Sequence, residues 1–296
     1  MHSKVFIRLV PVFFFACLLP QLRAQILAEA LSDFPPQTEL LEYDNLAQLR
    51  ALPNYDALKQ RFTGKQLERL KTALTKIDLP ESAVDEIVMA SSPAGFYGLI
   101  SGTFSGAAIT QNAVTKGCAY LTVEDNKILC PTAEMSVLFL TKSLAAFGTS
   151  AEIKRMLEAR RGAAPRFSTN LSLVHLLNQT ERDAPVRGVS SGSQLTASLV
   201  DAMQGGSSLD IDWSRLASNI SAFGYSVKLD SKAHVAATLQ CKSPATAAIL
   251  RQTLGALSAL QSVAAKAGAS APFENLQLSS SGIFIGLQMD TPLPAR

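Results

Sequence analysis

Apolar positions along this chain recur in two rhythms, steps of three and four and steps of two, so helices and strands are interleaved. Leu67, Leu70, Leu74 and Ile77 fall on one helical face, with Glu68 and Lys71 outward, behind a Thr63/Gln66 capping box. A second box, Thr149 with Glu152, opens a helix that turns Ile153, Met156 and Leu157 inward and stops at Gly162. Ser243 followed by Pro244 opens the longest helix, residues 244–267. Its Ile249, Leu250, Leu254, Leu257, Leu260 and Val263 are expected to face inward as far as Gly268. Shorter helices fit residues 46–52, 107–115, 171–177 and 194–203.

The steps of two predict strands. Pro35-Pro36 blocks helix and leads into an extended segment around residues 39–43. Further strands fit residues 86–90, 96–104, 118–123, 128–130, 136–140, 144–147 and 186–189. Phe223, Tyr225, Val227 and Leu229 alternate with polar neighbours. So do Val235, Ala237, Leu239 and Cys241 beyond a turn at Asp230, which makes a hairpin with one buried face. A last strand places Ile283, Ile285, Leu287 and Met289 on one side. Hairpin, long helix and strand is the order of half a ferredoxin-like unit. The expected class is therefore α+β, with two related lobes of antiparallel sheet, each packed with helices on one face. The N-terminal lobe takes residues 25–165 and the C-terminal lobe residues 166–296, with the join among the small residues around Pro165.

The first 24 residues read differently. Lys4 and Arg8 precede an apolar run over residues 9–20, and a short polar stretch ends at Ala24. This is the pattern of a cleaved secretory signal peptide, and the run falls short of the roughly 20 residues a bilayer span needs. The mature chain is expected to begin near Gln25, to be secreted or periplasmic, and to carry no transmembrane segment. Cys17 offers lipidation as an alternative, but Phe14-Phe15-Ala16 lacks the usual leucine and small residue before it.

Removing the signal also removes Lys4, Arg8 and Arg23, so 24 basic side chains face 24 acidic ones. A neutral chain has no global field for nucleic acid or an anionic membrane, and neither partner is expected. An oxidising compartment makes Cys118 and Cys130 the candidate disulfide. A turn at Asp125-Asn126, however, sets Leu121 opposite Cys130 and leaves Cys118 three positions away, so the bridge needs a bulge or an early strand end. Cys241 reads as a small buried apolar residue.

Few patterns carry chemistry. Gly188-Val189-Ser190-Ser191-Gly192 fits the nucleophile-elbow pattern between a strand and a helix. Ser190 as nucleophile, His234 as base, and Asp201, Asp210, Asp212 or Asp230 as the acid make a serine hydrolase the catalytic alternative. Against it, His234 lies on the polar side of a hairpin rather than beyond a parallel sheet. His175 and His234 alone, without spaced partners, do not make a zinc site. Asp210-Ile211-Asp212 lacks the glycine and closing glutamate of a calcium loop, and Asp212 reads as a cap before Trp213. Glu81, Asp85 and Glu86 read as a solvated acidic turn. No phosphate-binding loop or dinucleotide fingerprint is present, so no cofactor is implied. Asn170, Asn178 and Asn219 open glycosylation sequons, which matter only in a eukaryotic secretory route.

The run Asp33-Phe34-Pro35-Pro36-Gln37-Thr38-Glu39-Leu40-Leu41-Glu42-Tyr43-Asp44, with the helix after it, resembles the start of certain uncharacterised secreted bacterial proteins, many of them acidobacterial. Residues 143–149, before the second capped helix, are similar too. The resemblance implies an extracytoplasmic α+β protein and brings no active-site residues. The reading that follows is a non-catalytic binding or interaction module of the cell envelope, with a cell-envelope protein or an apolar ligand as its expected partner. The apolar alternative places the ligand between the helix of residues 244–267 and a sheet.

Overall fold

The computed structural model describes residues 25–56, 65–192, 218–266 and 274–293. The strands are β1 (Leu40–Asp44), β2 (Val84–Ser92), β3 (Gly95–Gly102), β4 (Ala119–Val123), β5 (Asn126–Cys130) and β6 (Ser136–Phe139), followed by β7 (Leu144–Gly148), β8 (Val186–Ser191), β9 (Ile220–Leu229), β10 (Lys232–Cys241), β11 (Glu274–Ser281) and β12 (Phe284–Pro292). The helices are α1 (Gln25–Asp33), α2 (Leu46–Arg50), α3 (Lys65–Lys76), α4 (Gly106–Thr115), α5 (Ser150–Arg160), α6 (Leu171–Gln179) and α7 (Pro244–Lys266). The class is α+β.

The strands do not divide into two sheets. They form one antiparallel sheet of 12 strands in the order β11-β12-β10-β9-β8-β1-β2-β3-β7-β6-β5-β4. The first strand sits in the interior, pairing β2 with Leu41 opposite Ala90 and β8 with Leu41 opposite Val189. Strands from both sides of Pro165 thus share one ladder. Phe167, just beyond that proline, is fully buried in the core.

Helices cover the middle of the sheet on both faces rather than one. On the first face, α1, α5 and α6 pack Ile26, Ile153 and Leu176 against Val88, Leu99 and Val189. On the second, α2 and α3 pack Leu49, Leu70 and Leu74 against Ile87, Ile100 and Phe147. The alternation of β2 explains this. Ile87 and Met89 point to the second core while Val88 and Ala90 point to the first, a run buried on both sides. Thr149 caps α5 as expected, accepting a hydrogen bond from the Glu152 N–H. The Glu152 carboxylate does not close the box. It is buried and pairs with Arg155 at 2.7 Å.

Two elements were not expected. α1 carries its apolar stripe at Ile26, Leu27 and Ala30, and Arg160 of α5 holds it through Glu29 at 2.7 Å and the buried Asp33 at 2.5 Å. β11 alternates Leu276 and Leu278 with Gln277 and Ser279 at the sheet's edge. In α7, Ala247, Leu250 and Leu254 face inward against Cys241 and Ile285, whereas Ile249 is 59% exposed. A centre at Ala247 and Leu250 turns position 249 out by one helical step. The side chains of Leu257, Leu260 and Val263, Thr63 of the first capping box and the helix expected over residues 194–203 lie outside the described residues.

Candidate functional site

The elbow pattern resolves into packing. Ser190 is the penultimate residue of β8, is 1% exposed, and donates its hydroxyl to the Ser191 carbonyl at 3.1 Å. Alternation along β8 puts Ser190 on the second face with Val186. His234 pairs Lys228 on the opposite face, while Ser190 pairs Phe223 five rungs away. The two are not brought together. Each glycine of the pattern has a spatial reason. A side chain at Gly188 would meet the Tyr225 ring and hydroxyl at 2.9 Å, because that ring lies across β8. One at Gly192 would strike the Ile220 carbonyl at 1.9 Å. The spacing therefore reflects close strand packing. Asp201, Asp210 and Asp212 lie outside the described residues.

By crossing β8, Tyr225 donates its hydroxyl to Glu42 of β1. Glu42 and Asp44 share the second face of that central strand. Desolvation lifts the Glu42 carboxyl to about 7, and burial with the neighbouring Glu42 charge holds the Asp44 carboxyl well above its usual range. Asp44 is 1% exposed and one of its oxygens has no hydrogen-bond partner. Sequence reasoning missed this pair. In Leu40-Leu41-Glu42-Tyr43-Asp44 the acids alternate as solvent-facing residues do, yet Asp44 is buried and Glu42 half-buried beneath the Tyr225 ring that reaches across β8.

Cys118 and Cys130 are both free thiols. The hairpin turns at Glu124-Asp125, where Glu124 has a φ of 54°, so Cys130 stands opposite Ala119 rather than Leu121. That leaves Cys118 one position off, and a one-residue offset places side chains on opposite faces. Cys118 packs on the second core, while the Cys130 thiol meets Ser136 and Ser150 on the first face. Cys241 is buried against α7, as expected. His175 is exposed and shares a hydrogen bond with Gln179 at 2.9 Å. The acidic turn separates: Glu81 accepts from Tyr55, Asp85 pairs Arg50, and Glu86 accepts from Tyr43 and Ser101. Asn170 caps α6. Among the described residues no cluster of three histidine, cysteine or acidic side chains is placed to hold a metal.

A concavity with free polar groups lies on the first face of the C-terminal blade, β9-β10-β12-β11, beside the end of α6. It is an open groove of about 440 Å³. Ladder register lays its floor in rows across the four strands. One row is Gly224, Thr238, Gly286 and Ser279, and the next is Ser226, Ala236, Gln288 and Gln277. Leu176, Gln179 and Thr180 of α6 and its exit form the wall. Small residues keep the floor low. A side chain at Gly286 would meet the Ser279 hydroxyl at 2.5 Å, and one at Gly224 would press on Leu176 at 3.3 Å.

Both ends of the groove are marked. At one, Phe284 lies 6.2 Å from the His175 ring, centroid to centroid. At the other, the next row is Lys228, His234, Asp290 and Glu274. His234 Nδ1 lies 2.7 Å from Asp290 and Nε2 lies 3.1 Å from Asp230. Those hydrogen bonds, to Asp290 first, raise the imidazole above its usual range. Asn275 also donates to Asp290, at 2.7 Å. Lys228 pairs Glu181 and Asp183, and Lys232 pairs Glu274. Every charge of this row is thus paired, and the cluster holds more acids than bases.

No family profile and no curated protein matches the chain. Solved structures with the same fold do. Crystal form I of TP0453 superposes with a TM-score of 0.54 at 11% identity, over 89% of this chain and 91% of that one. Crystal form IV gives 0.50 at 11% identity, over 89% and 93%. The likeness shows a common fold. Among the described residues no helix is long and apolar enough to cross a membrane.

Proposed function

We propose that this chain is a non-catalytic binding module of the cell envelope, exported behind a signal segment that ends near Ala24, and that it holds its ligand in the groove beside α6. One observation carries the reading. Ser226, Thr238, Gln277 and Gln288 line the groove, yet their side chains make no hydrogen bond among the described residues, although Ser226 is only 2% exposed. Ser226 is the buried member of the set, Thr238 is half-buried and Gln277 and Gln288 are exposed; a buried hydroxyl is normally paired, so one left without a partner beside exposed amides on an open groove suits an external ligand. The separation of Ser190 from His234 supports binding without hydrolysis.

The test is native mass spectrometry of the chain exported by its own host, beside the denatured mass. The denatured mass is expected to begin at Gln25. The native mass is expected to exceed it by a ligand that Ala236→Trp, which fills the groove floor, no longer retains. Equal native and denatured masses, or the same added mass in the tryptophan variant, would remove the groove from consideration.

A further inference from the structure

The chemistry of the groove narrows what it can hold. Its floor is the face of a sheet, so the backbone N–H and C=O groups of β9, β10 and β12 are used in ladders on both sides and those of the edge strand β11 on its β12 side. Recognition therefore falls to side-chain ends, and these are hydroxyls and primary amides: Ser226, Thr238, Gln277 and Gln288. Each offers both a donor and an acceptor. Among the described residues no cation lines the groove, and the only charged lining residue, Glu181, is already paired with Lys228 at 2.6 Å. An anionic ligand would find no counter-charge there.

An apolar ligand is equally poorly served. Burying it would strip water from four free polar side chains without replacing their hydrogen bonds, which opposes binding. A peptide would bring one donor and one acceptor per residue along its own backbone, and these need a strand edge; β11 offers one, but it lies in the plane of the sheet at its rim and not on the floor of the groove. A saccharide instead presents adjacent hydroxyls that act as donor and acceptor together, which the carboxamides of Gln277 and Gln288 match in pairs. Its C–H faces suit the low floor at Ala236 and Gly286 and the Leu176 wall. A volume of about 440 Å³ lies in the usual small-ligand range of roughly 300–1,000 Å³.

We infer that the groove beside α6 binds a neutral saccharide, an inference that rests on the binding-module reading above. The experiment is a titration of the isotope-labelled full chain, read by backbone amide shifts. The saccharide probes are maltose, cellobiose and N,N′-diacetylchitobiose. The counter-probes are a capped Ala-Ser-Gly peptide, dodecanoate and inorganic phosphate.

At least one saccharide is expected to move the amides of Ser226, Thr238 and Gln288 saturably, and no counter-probe is. Thr238→Val and Gln288→Leu should each weaken that saccharide roughly two- to tenfold, with the rest of the spectrum unchanged. If a counter-probe moves these amides and the saccharides do not, the saccharide assignment is overturned while the groove survives. If no probe moves them, the assignment is overturned as well. The native mass of Ala236→Trp then decides separately whether the binding-module reading falls with it.

Discussion

The centre of the sheet and its C-terminal blade use the same antiparallel ladders but are finished differently. Around β1, β2 and β3 both faces are roofed by helices, and side chains such as Tyr97, Leu99 and Ile100 are fully buried. In the blade, α7 roofs the second face. The first face beyond α6 is left to glycine, alanine, hydroxyls and amides. Burial on both sides makes the centre dependent on packing. The blade gives up part of that burial and leaves polar side chains on its first face without a hydrogen bond among the described residues. The contrast holds for charge as well. Acids in the centre, such as the half-buried Glu42 and the buried Asp44, are desolvated and their carboxyls are raised. Asp230 and Asp290 in the blade remain in solvent and are pulled low, Asp230 chiefly by the Lys232 backbone N–H and Asp290 chiefly by Asn275.

Substitutions sharpen the comparison in order of size. Tyr97 packs edge-on against Phe34 at 5.2 Å and shares a hydrogen bond with Thr38 at 2.6 Å. Tyr97→Ala should cost about 3–5 kcal/mol in a denaturant titration, and a loss within error would break the account of a tightly packed centre. Arg160→Met removes both partners' bonds from α1 and leaves Asp33 buried. It should cost about 1–3 kcal/mol and raise amide exchange in α1 first.

Smaller still is a pH effect. The Glu42 carboxyl is raised from 4.5 to about 7 in the folded chain. It binds its proton more tightly when folded, so its contribution to stability is complete below 4.5 and is lost as pH rises through about 7. Glu42→Gln should therefore flatten the fall in unfolding midpoint across that window. An unchanged slope would mean that the carboxyl is solvated. At the low end, Thr238→Val in the groove should shift stability by no more than about 0.5 kcal/mol. A larger loss would show that this hydroxyl serves the fold rather than a ligand.

Much of the fold was legible because alternation and helical steps are local signals. The β9-β10 hairpin, the capped start of α5 and the opening of α7 follow directly from their residues. The number of sheets did not follow, because β1 joins partners from both halves of the chain and no local pattern records that pairing. The continuous run Ile87-Val88-Met89-Ala90 was the available clue to two roofs, and the alternation of Leu276 and Leu278 was the clue to β11. α1 was hidden by its place directly after the apolar leader. The groove was less legible still. Its rows exist only through register, and Ser226, Thr238 and Gln288 are unremarkable until three ladders set them side by side.

The interior position of β1 also imposes an order in time. Leu41 must wait for Val189, nearly 150 residues later, before its second edge is paired. Contacts of such separation slow folding. Until β8 arrives, a chain that has already folded β1 through β7 presents a raw strand edge at the middle of its future sheet, a known hazard for association between chains. The length of that vulnerable interval is set by topology rather than by the stability of the finished fold.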